Sequence, residues 1–125
     1  MFQKIFFLAL AGAAGTLLRY WLGGFVQKNI TVVFPFGTAA VNILGCLVFG
    51  LLWALLENRL SISAHLKTVI FISFFGAFTT FSSFAFDTVR FINELRLIHA
   101  FGNILLHNVC GFVGVIVGLT IGKYF

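Results

Sequence analysis

Between Lys28 and Glu57 the chain carries no charged residue, and the same holds from Thr68 to Phe86 and from Leu97 to Gly122. A membrane crossing needs about 20 predominantly apolar residues, so each of these runs reads as a transmembrane helix. A further run from Ile5 to Val26 is interrupted only by Arg19. The expected fold is therefore an all-α integral membrane protein whose 125 residues form one domain of four helices, over residues 5–26, 37–56, 68–91 and 100–121. Charged residues make up 9% of the chain and hydrophobic ones 61%, with a mean hydropathy of +1.11. Soluble domains carry about 25% charged residues, so water is not the main solvent, and a multi-pass protein of the cell inner (plasma) membrane is expected.

The net charge of +5 would suggest nucleic acid in a soluble chain. Here the cations stand singly at segment ends, the anchoring pattern at lipid headgroups, and no nucleic-acid partner is expected. Lys4 followed by Ile5 to Ala11 has the outline of a signal peptide, but the apolar run continues past Ala11, so it is read as the first span. Asn29-Ile30-Thr31 matches a glycosylation sequon by chance. Cys46 and Cys110 lie inside apolar segments and are read as buried small residues rather than a disulfide or metal pair.

The third span holds the densest polar stretch within any apolar run, Gly76-Ala77-Phe78-Thr79-Thr80-Phe81-Ser82-Ser83-Phe84. Interleaved hydroxyls and rings at that depth predict a helix broken near residues 76–80. The hydroxyl of Thr79 or Thr80 would cap a new half-helix. Such a break leaves carbonyls unpaired before it and N–H groups unpaired after it, the discontinuity from which transporters build ion sites. Asp87 falls on the face of Thr80, Ser83 and Phe84, where it either pairs with Arg90 or Arg19 or sits at the outer rim.

Elsewhere, Thr38, Asn42, Cys46 and Gly50 recur every four residues, placing small and polar groups on one helix face. Small residues at this spacing let helices pack closely. Asn42 invites more, since a carboxamide in lipid needs partners and its NH2 can donate to an anion. In the fourth span Gly114, Gly118 and Gly122 form a repeated G-x-x-x-G packing signal, with Asn103, His107 and Gly111 continuing its face. His107 has no second ligand at metal spacing and reads as a hydrogen-bonded packing histidine. Arg19 has two readings of equal weight: it snorkels to the interface beside Tyr20 and Trp21, or it faces an aqueous vestibule.

With four spans, Lys4, Arg59, Lys67 and Lys123 lie on one side of the membrane and Lys28, Arg90 and Arg96 on the other. Four against three is almost no positive-inside bias. The chain is expected to insert both ways up, so that oppositely oriented copies pair.

These residues together resemble the Fluc (CrcB) fluoride channels. The resemblance rests on Gly12-x-x-Gly15-x-x-x-Arg19-Tyr20, on Gly37-Thr38-x-x-Val41-Asn42-x-x-Gly45, and on Gly76-x-x-Thr79-Thr80-Phe81-Ser82-Ser83-Phe84, in order along essentially the whole chain. It implies a dual-topology antiparallel homodimer with two pores passing fluoride passively. It also implies a structural sodium ion at the dimer centre, held by backbone carbonyls of Gly76 and Thr79 from each copy. Phe81 and Phe84 would line the pores, Asn42 would point into them, and Arg19 would lie in the vestibule. Thr80 and Ser83 would join Asn42 as hydrogen-bond donors. The family's Tyr/Ser/Thr track on the fourth helix is replaced here by a pore face of Asn103 and His107, followed by Gly111 and Val115.

The expected function is thus passive export of cytoplasmic fluoride down its electrochemical gradient, with fluoride, lipid and a second copy as partners. Some members pair fixed-orientation subunits, against which the charge balance stands. The alternative is a small dual-topology proton-coupled exporter, which needs a membrane-embedded carboxylate. Asp87 is its only candidate. An enzyme is not expected, because no nucleophile–base pair or metal cluster can be assembled.

Overall fold

The computed structural model describes residues 2–28, 30–58 and 62–124. Asn29 of the sequon and Arg59 of the charge balance lie outside the described residues. Four helical spans are long and apolar enough to cross a membrane: Phe2–Lys28, Phe36–Glu57, Ala64–Asn93 and Leu97–Tyr124. The helices run past the apolar stretches at both ends, because backbone hydrogen bonding continues into the polar residues at the membrane surface. No strand occurs among the described residues.

The first span is one helix, α1 (Phe2–Lys28), and the second another, α2 (Phe36–Asn58). Their connection is stapled by one side chain. Gln27 Nε2 donates to the Phe34 carbonyl at 3.2 Å, and the Gly37 N–H donates to Gln27 Oε1 at 3.0 Å. That second bond satisfies one of the amide groups every helix start leaves unpaired.

The third span is built from several pieces. Ser63 caps α3 (Ala64–Lys67) by accepting from the Leu66 N–H. A π-helical stretch, Thr68–Phe74, follows, and it closes with the Phe75 N–H donating to the Ile70 carbonyl five residues earlier. Then come α4 (Phe75–Phe78) and α5 (Phe81–Asn93). α5 ends in a Schellman turn. Leu95, at φ 59°, lets the Arg96 N–H reach the Phe91 carbonyl and the Leu95 N–H reach that of Ile92. The fourth span comprises α6 (Leu97–Leu105), a second π-helical stretch (Leu106–Cys110) and α7 (Gly111–Tyr124).

Two glycine seams hold the bundle together. Along α7, Gly111, Gly114, Gly118 and Gly122 are buried. A Cβ at Gly118 would overlap the Leu47 carbonyl and stand 2.7 Å from the Leu51 nitrogen on α2, while one at Gly50 would run into the Val115 carbonyl. The backbones touch because neither side chain exists, as the G-x-x-x-G spacing implied. Across the bundle, Gly15 is the one buried residue among those described in α1. A Cβ there would press on the Phe74 carbonyl and lie 3.1 Å from the Phe78 nitrogen. Ser73 Oγ donates to the Leu8 carbonyl across the same contact. Between the seams Val41, Phe71, Phe75 and Phe78 form the core, with Phe49 and Phe74 packed against it.

The same substitution therefore has opposite effects at two glycines of the fourth span. Gly118→Ala is expected to destabilise by about 1–3 kcal/mol through overpacking. Gly102→Ala, where an added Cβ meets nothing within 4 Å, is expected to gain up to about 1 kcal/mol from helix propensity. Thermal unfolding in detergent checks both; equal shifts would contradict the seam.

Candidate functional site

Helical geometry ceases for two residues between α4 and α5. Thr79 has φ −83° and ψ 159°, and Thr80 has φ −146° and ψ 107°, both extended. Two adjacent β-branched residues suit that backbone, and each hydroxyl serves one side of the step. Thr79 Oγ1 and its N–H both donate to the Phe75 carbonyl at 2.9 Å, closing α4. Thr80 Oγ1 accepts from the Ser83 N–H at 3.3 Å and meets Ser83 Oγ at 2.9 Å, capping α5.

The step is fixed from outside by Asn42 on α2. Thr80 N–H donates to Asn42 Oδ1 at 2.8 Å, and Asn42 Nδ2 donates to the Thr80 carbonyl at 3.0 Å. In an unbroken helix the Thr80 N–H would donate to the Gly76 carbonyl. Asn42 takes that bond and leaves the Gly76 oxygen without its helical partner. One Nδ2 hydrogen of Asn42 stays free of this pairing.

On one side the step opens onto a cavity of about 530 Å³, which begins at the α1–α2 connection and ends on Thr80 and Ser83. Arg19, Gln27 and Thr38 line it, together with Asp87 and Arg90. Of the two partners open to Asp87, the structure pairs it with Arg90 at 3.2 Å. Arg90 also meets Glu94, at 3.9 Å. Among the described residues Arg19 has no ion pair, so its charge is uncompensated within the cavity. Tyr20 and Trp21 stand exposed beside it.

The phenylalanines divide at the step. Phe75 and Phe78, before it, are core. Phe81, just after it, is 78% exposed. Its ring meets Phe84 edge-on at 5.4 Å, and Phe84 in turn lies 4.6 Å from the His107 imidazole. Asn103, wholly buried, joins the third and fourth spans. Its Nδ2 donates to the Phe84 carbonyl at 3.3 Å and to Thr88 Oγ1 at 2.9 Å.

Gly76 and Thr79 line a separate open cavity of about 340 Å³ with Gly45, Phe49 and Val115. A Cβ at Gly76 would meet nothing within 4 Å, so the side-chain direction at this residue is open. A carbonyl freed from helical bonding in an accessible place suits a hard cation with oxygen ligands, and the donor set fits sodium in that respect. No group of three or more His, Cys, Asp or Glu that could hold a metal occurs among the described residues, and both cysteines are free.

The structure thus joins Asn42, Thr80 and Ser83 in one hydrogen-bonded group, places Arg19 in the cavity that ends on it, and sets Phe81, Phe84, Asn103 and His107 in a chain beyond it. Gly76 and Thr79 stand apart on another face. Sequence reasoning missed Gln27, whose position next to Lys28 is that of an ordinary interfacial polar residue, and Ser73, one hydroxyl in an apolar run.

A family model described as CrcB-like protein, Camphor Resistance (CrcB), matches residues 6–119. The chain is similar to the fluoride-specific ion channel FluC of Desulforapulum autotrophicum, at 45% identity with 98% of each chain covered. It is also similar to the proteins of the same name from Solidesulfovibrio magneticus and Nitrosococcus oceani, at 42% and 45% identity over 98% of each chain.

If Asn42 fixes the step, removing its carboxamide leaves the Thr80 peptide groups without partners. Asn42→Ala is expected to cost about 1–3 kcal/mol. Asn42→Asp retains the acceptor but turns the donor into an oxygen facing the Thr80 carbonyl, so it should also destabilise. Thermal unfolding of both variants in detergent checks this; an unchanged midpoint in both would remove Asn42 from the step.

Proposed function

The chain belongs to the CrcB-like family, and from that premise we propose that it is a passive, fluoride-selective channel of the inner membrane. Two antiparallel copies form two pores, through which cytoplasmic fluoride leaves down its electrochemical gradient. The observation that carries this reading is the near-full-length similarity to fluoride-specific channels, in a chain whose interrupted third span joins a cationic cavity to exposed aromatic edges.

The chemistry of the ion supports it. Hydrogen fluoride is a weak acid that crosses membranes neutral and dissociates inside, so the trapped anion needs a conductive exit and no energy source. Fluoride is strongly hydrated, and a pore must replace part of that shell yet hold the ion weakly enough to release it. Arg19 supplies long-range attraction in the vestibule. The free Nδ2 hydrogen of Asn42 and the hydroxyls of Thr80 and Ser83 replace water. The edges of Phe81 and Phe84, which carry the positive end of the ring quadrupole, pass the anion on. Asn103 and His107 form the fourth-helix side of this path.

Dimer assembly is supported by ligand number. The carbonyls of Gly76 and Thr79 are too few in one copy to coordinate a cation, and two copies double them. Sodium bound there would supply a fixed positive charge between facing carbonyl dipoles. The alternative, a proton-coupled exporter, would need a free carboxylate at mid-span. Asp87 is ion-paired with Arg90 near the span's end, and no observation favours that reading.

Reconstituted into liposomes loaded with fluoride, the protein should release it on addition of a potassium ionophore and leave chloride inside, as read with ion-selective electrodes. Comparable chloride release, or release of neither ion, would overturn the assignment. Phe81→Ile and Phe84→Ile should each slow fluoride release about tenfold or more, on the scale of one lost interaction with the ion, while eluting as dimers. Wild-type rates in both variants would take the rings out of the path.

A further inference from the structure

His107 holds an unsatisfied atom where the proposed path passes. Its Nδ1 lies 3.0 Å from the Asn103 carbonyl oxygen, one turn back on the same helix. A carbonyl only accepts, so Nδ1 must carry the hydrogen, and this fixes the tautomer of the neutral ring. Nε2 is then a bare lone pair. It is buried and has no hydrogen-bond partner within the chain, and the same is true of Asn103 Oδ1. Asn103 is fully buried, and its orientation is fixed because Nδ2 faces the Phe84 carbonyl, another pure acceptor. Buried polar atoms are nearly always satisfied, so two orphans one turn apart point to something that visits them. The imidazole stands against Phe84, 4.6 Å between centroids and tilted by 37°.

Two acceptor lone pairs repel an anion. Protonation reverses the sign at one of them: with Nδ1–H still on the Asn103 carbonyl, Nε2–H becomes a charged donor directed away from it, and charge-assisted hydrogen bonds are about twice as strong as neutral ones. We infer that His107 is a proton-dependent fluoride-binding group beside Phe84, silent when neutral and a donor to the anion when protonated. The inference rests on the fluoride-channel reading and adds to it a specificity-determining residue for permeation. The charged groups facing His107 are few. From α5 comes Asp87, ion-paired with Arg90. The part of α2 over residues 36–56 carries no acid or base, and its Cys46 thiol lies against Gly111. α6 contributes only His99, the second π-helical stretch Cys110, and α7 only Lys123 and Tyr124 at its far end. Arg90 is held by Asp87, and Lys123 lies a full sixteen residues along the fourth span from His107.

The test is the fluoride concentration giving half-maximal current through the purified full-length channel in planar bilayers, at pH steps between about 8 and about 5.5, the range in which imidazole changes charge. Protein-free bilayers correct for hydrogen fluoride leak. In the wild type this concentration should fall roughly five- to tenfold on acidification, and in His107→Gln it should stay flat. An equal fall in both would overturn the inference and leave the channel assignment standing; absence of fluoride current at every pH would overturn both. A second measurement covers a variant that fails to fold. With His65→Gln and His99→Gln in place, the 15N resonances of the remaining imidazole report its titration directly. By reciprocity of coupling, fluoride should move that titration to higher pH and chloride should not. A titration indifferent to fluoride would overturn the inference.

Discussion

The bonds between the Asn42 carboxamide and the Thr80 peptide are the constraint on which the rest of this structure depends. A helix in lipid cannot leave backbone groups unpaired, since each costs several kcal/mol. A two-residue extended step is tolerated here because a carboxamide, with one donor edge and one acceptor edge, replaces the missing helical partners. One side chain from a neighbouring helix thereby converts a continuous span into two helices, with a freed carbonyl on one face and a capped helix start on the other. The proposed cation and anion chemistries are separated by that division. Main-chain oxygens before the step suit a cation, and hydroxyls and ring edges after it suit an anion.

The glycine seams make that interaction geometrically possible. Asn42 reaches Thr80 only because α2 and the third span approach closely, and Gly45 sits where a Cβ would collide with the Thr79 methyl. On its other side α2 is pressed against α7 through Gly50 and Gly118. Packing therefore holds α2 from both flanks, and its one carboxamide at this depth is delivered to a fixed place. The π-helical stretches widen the third and fourth spans near the site, a feature common where helices serve function. The second of them carries His107.

Much of this was legible in the sequence for physical reasons. Hydropathy reports the spans because lipid imposes one length and one composition. The G-x-x-x-G repeat reports a seam because only glycine allows backbone contact. The Thr-Thr pair before Ser83 reports a cap because hydroxyl and backbone compete locally. What stayed hidden depends on helix rotation and on long-range partners. The phenylalanines from Phe75 to Phe84 look alike as letters, yet Phe75 and Phe78 are core and Phe81 is exposed. Asn42 was expected to donate to an ion, and its contacts show one donor and its acceptor oxygen engaged by backbone 38 residues away. Asp87 had two possible arginine partners, and the choice of Arg90 over Arg19 follows from i,i+3 proximity on one helix. Gln27 gave no signal at all, because its role exists only once the connection after it folds back.

Hydrogen–deuterium exchange at the Thr80 amide tests most directly the claim that Asn42 builds the step. In the wild type this amide should exchange slowly despite lying outside any helix. In Asn42→Ala it should exchange about tenfold faster or more, the scale of one lost hydrogen bond, while the Phe75 and Phe91 amides keep their rates. Equal protection of Thr80 in both proteins would contradict the account.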